Sequence, residues 1–154
     1  MTPARKLTRR EWLRLPYAKS AAKDADGAIV ALLLKYKTEY RALESGSIDG
    51  RPVFQVRFTL RGKAYRVRLL GLLTAGVSEE ELLLQAKRAV YHHLKTALEQ
   101  AEVFFSPEET LFAFRELPTQ QTIFEAASPH LEQLTAPDVG RLLGCKNDNG
   151  ETRP

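Results

Sequence analysis

Five basic side chains lie on or beside one short hairpin of the sequence, and their spacing indicates a binding surface more than a catalytic centre. Arg57 alternates with apolar residues along a first strand, and Arg66 and Arg68 do so along a second. Because successive strand residues point to opposite faces, the three arginines are expected on one polar face, which Arg61 and Lys63 extend at the turn. Guanidinium groups grouped in this way suit the phosphates of a nucleic-acid backbone.

The basic residues are concentrated in two blocks of the chain. Residues 1–23 and residues 51–70 each carry a net charge of +6, whereas residues 24–50 carry −2 and residues 71–154 carry −6, within a formal total of +4. Such segregation is typical of a protein that binds a polyanion or an acidic surface. The alternative is that the two basic blocks pair internally with the acidic C-terminal half.

The remaining reactive side chains form no recognisable catalytic or metal-binding pattern. His92 and His93 are adjacent, so on a helix they point about 100° apart and cannot easily share a metal ion. His130 stands alone, and Cys145 lies in a polar stretch with no partner fixed by its spacing. Glycine-rich phosphate-binding motifs are absent from the sequence. We therefore expect no enzyme, no metal ion and no cofactor.

Alternation of apolar and polar residues predicts the sheet that would carry the arginines. Residues 53–60 and the return strand that follows Arg61, Gly62 and Lys63 each have one apolar face. An earlier strand over about 39–45 is expected to join them through a loop at 46–50. Three strands with one apolar face need a helical cover.

Helical periodicity and capping residues predict that cover. A helix over 21–36 would begin at the cap Ser20, and a long helix would run to Val103 from the capping box of Ser78 and Glu81. The predicted polar side of the long helix includes Arg88. Shorter helices are expected over 106–116, from the cap Ser106 and Pro107, and over 135–144, whereas 122–127 fits either a strand or a helical turn.

These elements predict a single α+β domain with an α-β-β-β-α core and further short helices at its C-terminal end. The domain would cover residues 20–144, between a basic N-terminal arm (1–19) and a polar tail (145–154). Arg9 and Arg10 of the arm would assist phosphate binding. The sequence shows no membrane-spanning run and no secretory signal, and its single cysteine suits a reducing compartment, so we expect a cytoplasmic protein.

Two resemblances bear on function. The element order over residues 21–103 resembles that of the double-stranded-RNA-binding domain, as an analogy of fold. Leu15-Pro16-Tyr17 before a helix, the run from Glu108 to Phe114 and the segment from Thr119 to Glu125 look like a family of uncharacterised phage and prophage proteins. That family has no assigned activity, and the resemblance implies an accessory protein of phage DNA replication or recombination.

The sequence as a whole predicts a non-catalytic protein that binds DNA or RNA through its basic sheet face and its arm. A second reading is a protein-interaction module that modulates a host replication or transcription enzyme. A third is an oligomeric structural protein whose subunits meet through apolar Leu111, Phe112 and Phe114.

Overall fold

A three-stranded antiparallel sheet carries two helices on one face in the computed structural model, which describes residues 6–18, 24–72 and 74–131. This architecture confirms the predicted α+β class. The elements in chain order are α1 (Arg9–Trp12), α2 (Ala25–Lys35), β1 (Arg41–Ile48), β2 (Arg51–Leu60), β3 (Lys63–Leu70), α3 (Glu79–Val103), α4 (Pro107–Thr110), a 3-10 turn (Phe112–Phe114) and α5 (Ile123–Leu131).

The strand order is β1-β2-β3, and the β2–β3 turn consists of Arg61 and Gly62 alone. Both residues have left-handed backbones, with φ of 52° and 76°, as a two-residue hairpin turn requires. Strand β1 begins two residues later than predicted and runs three residues further, to Ile48, because the chain reverses within the tight turn at Asp49 and Gly50 instead of a longer loop.

The core lies between the apolar face of the sheet and helices α2 and α3. Phe54, Val56 and Phe58 of β2 are buried there against α3, as the alternation predicted. Helix α3 begins at the predicted capping box, in which the Ser78 hydroxyl accepts from the Glu81 amide (3.2 Å) and the Glu81 carboxylate accepts from the Ser78 amide (3.0 Å). The long helix thus has the bounds that its sequence indicates.

Helix α2 begins later than predicted, at Ala25, with Asp24 instead of Ser20 as its N-cap. The Asp24 carboxylate accepts a 2.8 Å bond from the Gly27 amide. A Cβ at Gly27 would lie 2.1 Å from the Asp24 Oδ2, so the glycine allows this cap to close tightly. Ser20 itself lies outside the described residues.

The chain after α3 also departs from expectation. The helix predicted over 106–116 begins at Pro107, as expected, but ends at Thr110. Arg115 instead pairs with the edge of β3, and Glu116 pairs both with that edge and with Thr122. The ambiguous stretch 122–127 opens α5. The helix predicted over 135–144, the polar tail and Cys145 lie outside the described residues.

Residues 6–18 of the predicted arm pack on α3. Trp12 is 2% exposed, and its indole N–H donates to Gln85 Oε1 at 2.8 Å. Arg88 donates to the carbonyl of Tyr17 at 3.0 Å and is buried, so its predicted place on the solvated side of α3 was wrong: the N-terminal segment covers it. Among the described helices, none has the length and apolar character needed to cross a bilayer.

Candidate functional site

The three predicted arginines do lie on one face of the sheet, opposite α2 and α3. Arg57 of β2 is directly opposite Arg66 of β3, and Arg68 is opposite Gln55. We call this side the outer face. Its pattern follows from strand alternation, since the same strands turn Phe58 and Val67 into the core.

Two of these arginines are neutralised within the fold. Arg57 donates to both carboxylate oxygens of Glu116, from Nε at 3.0 Å and from Nη2 at 3.3 Å. Arg66, only 6% exposed, has its Nε 3.6 Å from the same Glu116 and its Nη2 bonded to Glu125. The bonds to Glu116 raise the pKa of Arg57 further above its usual value. Internal pairing, the alternative left open by the charge pattern, therefore accounts for both arginines.

A tight turn after the 3-10 segment brings these glutamates to the outer face. The Leu117 amide donates to the Gln121 carbonyl at 2.8 Å, and Glu116 forms a bridge with Thr122. Thr122 then accepts from the Glu125 amide at 3.2 Å at the start of α5. Because Glu116 also pairs with the β3 edge through its amide, its side chain lies beside Arg57 and Arg66.

Arg68 is held differently. Its Nε donates to Gln55 Oε1 at 3.0 Å, and Gln55 in turn donates to Glu44 Oε2 at 3.1 Å. Arg57 also lies 4.0 Å from Glu44. Arg57 and Arg66 thus meet three carboxylates, those of Glu44, Glu116 and Glu125, whereas Arg68 is bonded to a neutral amide.

The other residues predicted to bind phosphate are distributed over separate surfaces. Lys63 lies 3.7 Å from Glu108 of α4. Arg9 donates to the Gly76 carbonyl at 2.8 Å and lies 3.3 Å from Glu81. Arg10 is exposed, and Arg61 projects from the β2–β3 turn. The structure therefore does not bring the seven predicted residues into one site.

A cleft that the sequence did not reveal lies at the end of the sheet where β2 turns into β3. It is bounded by the end of α2, by the β2–β3 turn and by the last turns of α3, and we call it the turn-end cleft. Lys35, Lys37 and Arg61 line it. Among the described residues none of the three forms a salt bridge to a carboxylate, although the charge of Arg61 contributes to lowering the pKa of Glu108. The sequence signal was weak, because the two lysines are separated from Arg61 by a whole strand pair.

The floor of the turn-end cleft is apolar and its volume is about 240 Å³. The lining carboxylate is Glu102, which accepts a 3.4 Å bond from the Tyr36 hydroxyl. Burial, with the charges of Glu102 and Glu99, raises the pKa of Tyr36, so its phenol stays neutral and can donate. The apolar lining residues are Leu60, Leu98, Ala101 and Pro107.

Exposed phenylalanines lie beside this cleft. Ala101 and Glu102 line both the turn-end cleft and an adjoining depression that contains Phe104 and Phe105. These two side chains are 77% and 53% exposed. Their ring centroids are 6.5 Å apart, so the two rings form a small exposed apolar pair next to the cleft.

His92 and His93 each pack against aromatic rings. His92 stacks on Tyr17 with ring centroids 4.9 Å apart, and His93 meets Phe114 edge-on at 4.9 Å. Loss of hydration lowers the pKa of His93. Within the ranges the structure describes, no group of three or more histidine, cysteine, aspartate or glutamate residues is arranged to hold a metal ion.

No protein-family model matches the chain, and no curated protein or solved structure is detectably similar to it. The resemblances to phage proteins and to the double-stranded-RNA-binding domain receive no support from these comparisons and remain predictions.

Proposed function

We propose that the protein is a non-catalytic nucleic-acid-binding protein whose phosphate contacts lie at the turn-end cleft. The observation that carries this proposal is the convergence of Lys35, Lys37 and Arg61, three cations that form no salt bridge to a carboxylate among the described residues. Cations that are not already paired bind phosphate without first giving up an internal partner, and they supply the counterion release that dominates nucleic-acid affinity.

The outer face is the weaker candidate for the same role. A phosphate approaching Arg57 would have to displace Glu116 from a two-bond contact, and Arg66 is almost inaccessible behind Glu116 and Glu125. Two-bond, charge-assisted hydrogen bonds between an arginine and a carboxylate are among the stronger hydrogen bonds in proteins. Arg68 is exposed, and the Arg57 side chain is 40% exposed despite its ion pair.

The test is fluorescence anisotropy with labelled single-stranded DNA, duplex DNA and RNA at about 50, 150 and 300 mM salt, where screening separates specific from generic attraction. Wild type is compared with Lys37→Gln/Arg61→Gln. A matched control, Arg14→Gln/Lys95→Gln, removes the same charge from exposed positions outside the cleft. An Arg68→Gln variant tests the outer face separately.

We expect micromolar or tighter binding of at least one nucleic acid that persists at about 150 mM salt. The cleft variant should bind roughly 10-fold more weakly or worse, with the slope of log affinity against log salt reduced by roughly 2, because each lost cation removes about one phosphate contact. The control should stay within about twofold of wild type. Binding that vanishes at about 150 mM salt, or that falls equally in the control, rejects the proposal.

A second candidate is a protein-interaction module, favoured by the exposure of Phe104, Phe105 and Phe112. The separate prediction of an oligomer placed Leu111, Phe112 and Phe114 between subunits. Leu111 is fully buried and Phe114 packs against the core, so of these three residues Phe112 is the exposed one. The protein-interaction module predicts no useful nucleic-acid affinity at about 150 mM salt.

A further inference from the structure

Resting on the proposed function, we infer that the turn-end cleft binds single-stranded nucleic acid, taking one unpaired base onto its apolar floor with the adjacent bases stacked on Phe104 and Phe105. The cleft combines two chemistries that a phosphate site alone would not need. Its cations, Lys35, Lys37 and Arg61, accompany a floor that includes buried Leu60 and Leu98. A ligand that uses both carries negative charge next to an apolar group, as an unpaired nucleotide does.

The size of the cleft favours one base over a larger group. Its volume of about 240 Å³ is below the roughly 300–1,000 Å³ of pockets that hold drug-sized ligands. A base inside a duplex is covered on both faces by its neighbours and cannot enter such a space without being unstacked. A single strand presents the same base without that cost.

The carboxylate of the cleft is compatible with this occupant. Glu102 accepts from the Tyr36 hydroxyl, and a carboxylate has further lone pairs that can accept from the exocyclic amino group of a base. Its charge disfavours a phosphate at the same point. The phosphates are therefore directed toward Lys37 and Arg61.

The two phenylalanines supply the stacking surface. Phe104 and Phe105 lie immediately beyond Ala101 and Glu102, and their ring centroids are 6.5 Å apart with planes inclined at 55°. Rings that are exposed and not parallel can each receive one base. Removing one stacking aromatic from a single-strand site weakens binding by roughly 5- to 150-fold.

The experiment measures, at about 150 mM salt, the affinity for a labelled mixed-sequence 12-nucleotide DNA and for the same sequence as a duplex. Variants are Ala101→Leu, which fills the cleft without changing its charge, and Phe104→Ala, which removes a side chain that contributes little to the core. The matched control is Phe124→Ala, an equally drastic change at a phenylalanine that is also exposed but lies on α5. Circular dichroism monitors the fold of each.

We expect the single strand to bind at least 10-fold more tightly than the duplex, and both cleft variants to lose at least 5-fold for the single strand while the control stays within about twofold. Equal or tighter duplex binding that still requires Lys37 and Arg61 overturns this inference and leaves the proposed function standing. A single-strand preference unaffected by Ala101→Leu and Phe104→Ala overturns the assignment to the cleft. Absence of any binding rejects the proposed function itself.

Discussion

The guanidinium of Arg57 and the carboxylate of Glu116, 59 positions apart in the chain, form a two-bond ion pair on the outer face of the sheet. Glu116 also lies 3.6 Å from the buried Arg66, so one carboxylate serves two arginines. The pair neutralises part of the positive charge that the basic hairpin brings to that face. It also fixes the segment after the 3-10 turn against the sheet.

Glu116→Gln should lower the free energy of unfolding by about 1–3 kcal/mol, because it leaves a nearly buried arginine short of a charged partner. Urea denaturation with an unchanged m-value would measure this loss. Glu109→Gln, at an exposed glutamate in α4, is the matched control and should change stability by less than about 0.5 kcal/mol. Equal effects of the two substitutions would show that the shared pair is not stabilising.

Tyr65→Phe should leave the free energy of unfolding unchanged or raise it slightly. The Tyr65 hydroxyl is buried and has no hydrogen-bond partner among the described residues. Removing a buried polar atom without a partner relieves its desolvation cost. Thermal and urea denaturation would check this, and a loss of more than about 1 kcal/mol would reveal a bound water or another partner at that oxygen.

Gly62→Ala should cost about 1 kcal/mol, because φ at this position is 76° and a Cβ strains the left-handed backbone. Gly46→Ala is the matched control, since its Cβ would meet Val53 at an ordinary 3.5 Å. Arg61→Asn, at φ 52°, should keep or raise stability because asparagine tolerates this conformation. Denaturation midpoints of the three variants would contradict the turn geometry if Gly46→Ala proved the most damaging.

His93→Leu should flatten the dependence of stability on pH between about 7 and 5. Burial lowers the pKa of His93 below 6.5, so in this range the unfolded chain binds more protons than the folded one. The corresponding stability is fully present above pH 6.5 and is lost as pH falls through the folded pKa. Unfolding free energies measured at several pH values should give a smaller slope for the variant; an unchanged slope would exclude His93 as its source.

Local patterns in the sequence were sufficient to predict the hairpin and the bounds of α3. The alternation around Phe54 and Val56, and the reciprocal bonds of Ser78 and Glu81, depend on residues only a few positions apart. The start of α2 was less determined, because Ser20 and Asp24 are both good caps. The choice of Asp24 depends on the room that Gly27 provides.

Such local patterns could not predict which distant residues would contact one another. Helical periodicity placed Arg88 toward solvent, whereas the N-terminal segment lies over it and accepts its hydrogen bond at Tyr17. The charge blocks indicated that pairing was an alternative, but not that Glu116 would be the partner of Arg57. Likewise, the cleft arises only when α2 and the β2–β3 turn meet, which brings Lys37 and Arg61 together.

The burial of Trp12 gives the protein an internal optical reporter. It is the single tryptophan of the chain, and its indole N–H is bonded to Gln85 of α3. Its fluorescence emission therefore reports on the contact between the N-terminal segment and the long helix. A shift of that emission to longer wavelength, at constant helical ellipticity, would record the release of this segment while the sheet and its helices stay folded.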